Sequence, residues 1–184
     1  MWIIAGDARG RKIEAPEGRD TRPTLDRVRE NLFNMLQGEI AGSRVLDLFA
    51  GSGAIGIEAL SRGARHAVFV ENSRKALQVI KDNIHFTKFE DESDLILSDA
   101  VSYVRGLRVV DFDVIFIDPP YDSGLYDEVL QAINSFDILS EGGIIVVEAR
   151  RETPLPDMKA PYRKIKEYRY GKVKICIYTR ESSL

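Results

Sequence analysis

From Arg44 onward the chain alternates short apolar runs with longer segments whose apolar residues recur every three or four positions. The runs are Val45-Leu46-Asp47-Leu48-Phe49, Ala67-Val68-Phe69-Val70-Glu71, Leu95-Ile96-Leu97, Val114-Ile115-Phe116-Ile117 and Ile144-Ile145-Val146-Val147. Between them, the spacing predicts helices from about Ala54 to Arg62, from Ser73 to about Phe86, near Val101 to Gly106 and near Tyr126 to Ser135. Strands that are apolar on both sides must be covered on both faces, and right-handed crossovers put helices on each face of a parallel sheet. After Pro161 the period drops to two: Tyr162 to Tyr170 and Val173 to Tyr178 alternate apolar and polar residues about Gly171, as an antiparallel hairpin does.

Ahead of this repeat, Trp2-Ile3-Ile4-Ala5 and Arg11 to Ala15 are short strand candidates joined by a glycine-bounded turn from Gly6 to Gly10. Pro16 to Pro23 reads as a loop. Thr24 can cap a helix carrying Leu25, Val28, Leu32 and Met35 or Leu36, with Asp26 in its first turn and Gly38 near its end. The expected architecture is α/β: a Rossmann-like, doubly wound, mainly parallel sheet of seven strands with an antiparallel C-terminal hairpin. Residues 1–38 add a small β-hairpin and helix to a single domain spanning 1–184; no repeat or linker marks a second one.

Composition narrows the class. Of the 184 residues 44% are apolar and 30% charged, a globular balance. No apolar run approaches the roughly 20 residues that span a bilayer, and the N-terminus lacks the layout of a secretory signal, so a cytoplasmic protein without membrane contact is expected. Cys176 lies in an alternating strand-like stretch, where it reads as a small packing residue, and His66 and His85 have no ligand spacing; no metal site is expected. The net charge of −3 hides an asymmetry: residues 30–149 hold 20 acidic and 9 basic side chains, whereas residues 150–180 hold 3 and 10. Residues 1–29 are also net basic, with 7 basic and 5 acidic. Lysines and arginines on solvated strand faces account for this, and so does a phosphate-contacting rim beside an acidic centre that holds a cationic cofactor.

Gly51-Ser52-Gly53-Ala54-Ile55-Gly56 follows a strand and opens a helix, the context in which such a turn binds a nucleotide-like ligand. Glu71, ending the next strand, is placed to accept from ribose hydroxyls. A purely structural glycine turn and a dinucleotide remain as alternatives. The wider stretch Asp47-Leu48-Phe49-Ala50-Gly51-Ser52-Gly53 resembles the D-x-F-A-G-x-G signature of class I methyltransferases. A carboxylate beside this turn disfavours a pyrophosphate and suits a ligand carrying an ammonium and a sulfonium, as S-adenosylmethionine does. Asp99-Ala100, after the third strand, matches the position where these enzymes hold the adenine, Asp99 accepting from its amine and Ala100 offering a backbone N–H. Asp99 equally suits the N-cap of the following helix.

After the fourth strand comes Asp118-Pro119-Pro120-Tyr121. In a doubly wound sheet ligands bind at the carboxyl ends of the strands, so this tetrapeptide shares a crevice with Gly51 and Glu71. Two prolines forfeit two backbone donors and stiffen the turn, leaving a rigid row of acceptors. An exocyclic amine on a nucleobase is a poor nucleophile, because its lone pair is delocalised into the ring. Asp118 and the Pro119 carbonyl can each accept one amine hydrogen and turn that lone pair toward a sulfonium methyl, while Tyr121 stacks on the base. The base must be unpaired or flipped to be reached.

These residues together resemble the bacterial small-subunit (16S) ribosomal RNA guanine-N2 methyltransferases of the RsmD type, over nearly the whole chain. The lead-in carries the likeness: Ile3-Ile4-Ala5-Gly6 with Gly10-Arg11-Lys12, Thr21-Arg22-Pro23-Thr24, Asp26 to Glu30 and Leu32-Phe33-Asn34. So do Phe49 to Gly53 with Gly56, Glu58-Ala59-Leu60-Ser61-Arg62 and Gly63-Ala64. The resemblance implies that Asp47, Phe49, Gly51, Ser52, Gly53, Glu71, Asp99 and Ala100 hold S-adenosylmethionine, which leaves as S-adenosylhomocysteine. It implies that Asp118, Pro119, Pro120 and Tyr121 present the guanine amine. It also places Arg9, Arg11, Lys12 and Arg22 by the RNA or over the cofactor, within the small subunit or an assembly intermediate, with the protein acting as a monomer. Arg27 and Arg29, sharing a helix with Asp26 and Glu30, read as solvated.

Asp-Pro-Pro-Tyr is shared with adenine-N6 and cytosine-N4 DNA methyltransferases, so those activities stand as an alternative, weakened by the lack of a separate target-recognition domain. A non-catalytic nucleic-acid-binding module and a dinucleotide oxidoreductase are further alternatives. The acidic run Glu90-Asp91-Glu92 would repel RNA if it faced the substrate.

Overall fold

The computed structural model describes residues 1–17, 23–109 and 112–182, and the side chains of 23–25 are not among those described. Five strands run parallel, β1 (Arg44–Asp47), β2 (His66–Glu71), β3 (Ser93–Leu97), β4 (Phe112–Ile117) and β5 (Leu139–Arg150). Two more, β6 (Tyr162–Tyr170) and β7 (Val173–Arg180), are antiparallel, and the order across the sheet is β3-β2-β1-β4-β5-β7-β6. The hairpin thus folds back so that its second strand, not its first, pairs with β5.

Strand alternation sorts the apolar side chains into two layers. Val45, Phe69, Val114, Phe116 and Val146 face a core built with α1 (Pro23–Met35), α2 (Gln37–Ile40), α3 (Ala54–Ser61) and α4 (Arg74–Thr87). Leu46, Val68, Ile115, Ile117 and Val147 face the other, built with α5 (Ala100–Gly106) and α6 (Leu125–Phe136). Both faces of the parallel strands are therefore covered, which is why their sequences read as unbroken apolar runs. Cys176 is buried between β5 and β6 neighbours as a packing residue.

The helices lie within a residue or two of their expected limits, but β5 is 12 residues long where the apolar run marks only Ile144 to Val147. Its pairing with β4 skips from Leu139 opposite Phe112 to Ile144 opposite Val114, an irregularity around Gly142 and Gly143 that apolar pattern does not reveal. A Cβ at Gly143 would lie 2.8 Å from the Ser140 carbonyl oxygen.

The N-terminal segment departs further from expectation. Ile3 N donates to Arg11 O at 2.9 Å and Gly10 N to Ile3 O at 2.8 Å, yet only Trp2 and Lys12 form a β-bridge, and neither arm is a strand. Ile13 N also donates to Met1 O at 2.9 Å, so the two arms are bonded to each other, and N–H groups outside these pairs go to side chains: Ile4 N and Ala5 N donate to the Glu58 carboxylate of α3, at 2.8 and 3.1 Å. Ala8 N donates to Ser61 Oγ at 2.9 Å, and Glu14 N to Asn83 Oδ1 at 2.9 Å. The segment is therefore docked onto α3 and α4 by side chains rather than by a ladder. Helix α1 includes Pro23, which suits a first helical position, and the cap expected at Thr24 lies outside the described side chains. Arg29 is not solvated: it is 5% exposed, pairs with Asp26 and donates to the Trp2 carbonyl.

Candidate active site

The carboxyl ends of β1, β2, β4 and β5 bring four carboxylates toward one edge of the sheet. Asp47 ends β1, and its Oδ2 accepts from Gly56 N at 3.3 Å, tying the strand to the first turn of α3. It is nearly fully buried, and burial, with Asp118 and Glu71 adding to it, pushes its carboxyl up to about 7 against the Gly56 hydrogen bond. The turn itself needs glycine twice. Gly53 caps α3 at φ +80°, and a Cβ on Gly56 would lie 2.2 Å from Phe69 Cε1, so α3 can approach β2 only without one.

Glu71, at the end of β2, is buried and braces this turn: Oε2 accepts from Gly51 N and Oε1 from Ser73 N, both at 2.9 Å. Asp99 caps α5, Oδ1 accepting from Ser102 N at 2.9 Å, and that bond holds its carboxyl below the usual range. The N-cap role is thus real. Both acids also line a cleft with Phe49, Ala100, Val101 and Pro120. Four of the eight cofactor residues inferred from sequence, Phe49, Glu71, Asp99 and Ala100, share this wall. Asp47, Gly51, Ser52 and Gly53 are buried within the turn that shapes it. Asn72, Ser98 and Leu125 also line the cleft and were not singled out from sequence, although the first two adjoin residues that were.

The tetrapeptide Asp118 to Tyr121 leaves the end of β4 with Pro119 buried and the other three exposed. Pro120 on the cleft wall sets this turn against the same crevice as Glu71. The register pairing Ile117 with Val147 puts Glu148 of β5 beside Asp118. Burial, reinforced by Asp118, raises the Glu148 carboxyl well above the usual carboxylate range. Burial and the negative charges of Glu148 and Asp118 push the Tyr121 hydroxyl up to about 12. Arg150 stands over the Tyr121 ring, 4.9 Å from its centroid, and pairs with Asp122 at 3.1 Å. Glu148 and Arg150 escape a motif reading because both lie in the last apolar strand, and only the sheet order sets them beside the tetrapeptide.

Of the residues expected at RNA, Arg9 and Lys12 are exposed on the docked hairpin. Arg11 is half-buried and spends one donor on the Phe86 carbonyl at the end of α4, at 2.8 Å. Arg22 lies outside the described residues. The acidic run at 90–92 precedes β3, at the amino edge of the parallel strands and so opposite the tetrapeptide.

A doubly wound sheet with the glycine turn, the acidic strand ends and an Asp-Pro-Pro-Tyr turn on one cleft defines a Rossmann-like methyltransferase. A family model described as "Conserved hypothetical protein 95" matches residues 1–179, and the chain belongs to this family, the RsmD type to which the motifs point. It is 38% identical over 182 residues to the protein YlbH of Bacillus subtilis (strain 168), covering 98% of this chain and 99% of that one. It is 37% identical over 180 residues to ribosomal RNA small subunit methyltransferase D of Escherichia coli (strain K12), covering 98% and 90%. The solved structure of the Escherichia coli protein yhhF superposes with a TM-score of 0.86 at 36% identity, covering 100% of this chain and 99% of that one.

Proposed function

We propose that this protein transfers a methyl group from S-adenosylmethionine to the exocyclic N2 amine of a guanine in small-subunit ribosomal RNA, in the cytoplasm. The observation that carries the reading is the position of Asp118 to Tyr121 on the border of the cleft walled by Phe49, Glu71, Asp99 and Ala100.

The residues of that cleft fit the cofactor. Each Glu71 oxygen takes one backbone N–H and keeps a second acceptor position for a ribose hydroxyl. Ala100 begins α5, so its N–H has no partner within the helix and is available to an adenine ring nitrogen. Asp99, held ionised, accepts from the adenine amine, while Phe49 and Val101 supply apolar contact. The acidic strand ends favour the ligand's ammonium and sulfonium. S-adenosylmethionine supplies, when bound, an electrophilic methyl carbon on positively charged sulfur.

The chain's own task is to make a poor nucleophile attack. Asp118 accepts one amine hydrogen through its carboxylate and Pro119 the other through its carbonyl, which draws the nitrogen lone pair out of conjugation and fixes its direction. Pro119 is buried and ring-locked, so its acceptor does not have to reorganise. Tyr121, 40% exposed, offers a ring face on which the extruded guanine stacks. No strong general base is needed, because the product ammonium gives its proton to water afterwards. Replacing Asp118 by Ala removes an acceptor required only at the amine. It is expected to lower the transfer rate roughly 100- to 1,000-fold while the S-adenosylmethionine dissociation constant, measured by calorimetry, stays within about twofold. Equal losses in rate and cofactor affinity would contradict that role.

A further inference from the structure

Tyr121 is held from two sides by side chains two residues apart on β5. Glu148 follows Val147, which pairs with Ile117, so its carboxyl stands at the foot of the turn that carries Tyr121 and acts on the Tyr121 hydroxyl. The Arg150 guanidinium lies over one face of its ring, 4.9 Å from the centroid. The same guanidinium pairs with Asp122 at 3.1 Å, and Asp122 has φ +63°, a left-handed conformation that an Asp adopts only at some cost. Residues 148 and 150 fall on one side of a strand, so one element sets both contacts. Tyr126 of α6 adds a hydrogen bond from its hydroxyl to the Glu148 carbonyl at 3.1 Å, which fixes this part of β5 from the other side.

We propose that Glu148 and Arg150 form a clamp that orients Tyr121, with Glu148 anchoring the hydroxyl and Arg150 covering one ring face. The opposite face is then the stacking platform for the target base. This rests on the reading of Tyr121 as a base-stacking residue. The clamp explains why a side chain on an exposed turn can serve as a rigid surface: an unrestrained ring would lose rotational freedom each time a base bound. It also assigns Arg150, in the basic C-terminal part of the chain, to positioning rather than to phosphate. Both clamp members are positioning residues, since they act through Tyr121.

Two readouts test this. The first is steady-state methylation of unmodified small ribosomal subunits. Arg150→Met and Glu148→Leu are each expected to raise KM for the subunit roughly tenfold, the order that one base–aromatic stack is worth, with KM for S-adenosylmethionine unchanged. Glu148→Gln, which keeps an acceptor for the hydroxyl, restores most of the loss. Tyr121→Phe combined with Glu148→Leu is no worse than either alone. The second is fluorine NMR of the full-length protein labelled with 3-fluorotyrosine, in which the Tyr121 signal is identified by its loss in Tyr121→Phe. Arg150→Met and Glu148→Leu move that signal, whereas Lys81→Met, exposed on α4 against β2 and β3, does not. Additive kinetic effects, or a Tyr121 signal indifferent to both clamp substitutions, overturn the proposal. If both clamp substitutions move the Tyr121 signal but the wild-type protein methylates no subunit RNA, the clamp stands and the assigned reaction is overturned instead.

Discussion

At Asp47 the burial that fixes the glycine turn also controls a proton. A carboxyl held at about 7 in the fold, against roughly 3.9 when the chain is unfolded, binds its proton more tightly in the native state. Its contribution to stability is present in full below pH 4 and is lost as the pH rises toward 7. Through that window the loss from this one group is at most about 1.4 kcal/mol per pH unit. Asp47→Asn keeps an oxygen for Gly56 N but removes the titration. Denaturant unfolding from pH 4 to pH 8 is therefore expected to show a shallower decline in the variant than in the wild type, and parallel profiles would contradict the assignment. Asp47 and Asp99 were legible in the sequence as a strand end and a helix cap because the bonds they make, to Gly56 N and Ser102 N, join neighbours within ten positions. Arg29, Glu58 and Glu148 were not. Arg29 meets Trp2, Glu58 meets Ile4 and Ala5, and Glu148 meets Asp118 and Tyr121, pairings that only the tertiary fold creates.

Among the elements, α3 carries more than the glycine turn at its start. Glu58 is fully buried, pairs with Arg62 at 2.8 Å and accepts two backbone N–H groups of the N-terminal segment. Arg62 in turn lies over Phe33 of α1, 5.1 Å from its ring centroid. The stretch Glu58 to Arg62, quoted from sequence only as part of a family likeness, is thus the dock for the lead-in, and the two parts of the resemblance have one structural cause. Glu58→Ala leaves two N–H groups and an arginine without their acceptor, a loss on the order of 3 kcal/mol. Hydrogen exchange is expected to quicken at residues 3–13 while amides of β1, β2 and β4 stay protected. Uniform loss of protection would mean that the segment and the sheet unfold as one. The strands were legible where an apolar run or an alternation of apolar and polar residues marks them, as in β4 and β6, and least so in β5, whose first half carries Ser140, Glu141 and two glycines. Apolar periodicity cannot register a strand that bends away from its partner there.

For the whole molecule, charge is sorted by position in the fold. Asp47, Glu71, Asp118 and Glu148 gather at the carboxyl edge of the sheet, and the acidic run at 90–92 is held at the opposite edge. Arg9 and Lys12 project from the docked hairpin, while Arg163, Lys164 and Lys166 lie exposed along β6, the outermost strand. Lysines on an edge strand also hinder pairing with another sheet, so those on β6 carry a structural reason of their own. On the hairpin, replacing Arg9 and Lys12 together by Ala is expected to reduce the slope of log affinity for RNA against log salt by about 2, with cofactor affinity unchanged. An unaltered slope would return both to solvent.

The reaction and its substrate class are tested together by one methyl-transfer assay. Labelled methyl from S-adenosylmethionine should be offered to small ribosomal subunits lacking the modification, to their naked RNA and to duplex DNA, with nucleoside analysis of each product. N2-methylguanosine is expected from the subunits, with the naked-RNA arm showing whether the assembled particle is required. Label confined to methylated adenine or cytosine in DNA, or no transfer to any of the three by a protein that binds the cofactor, would overturn the assigned reaction.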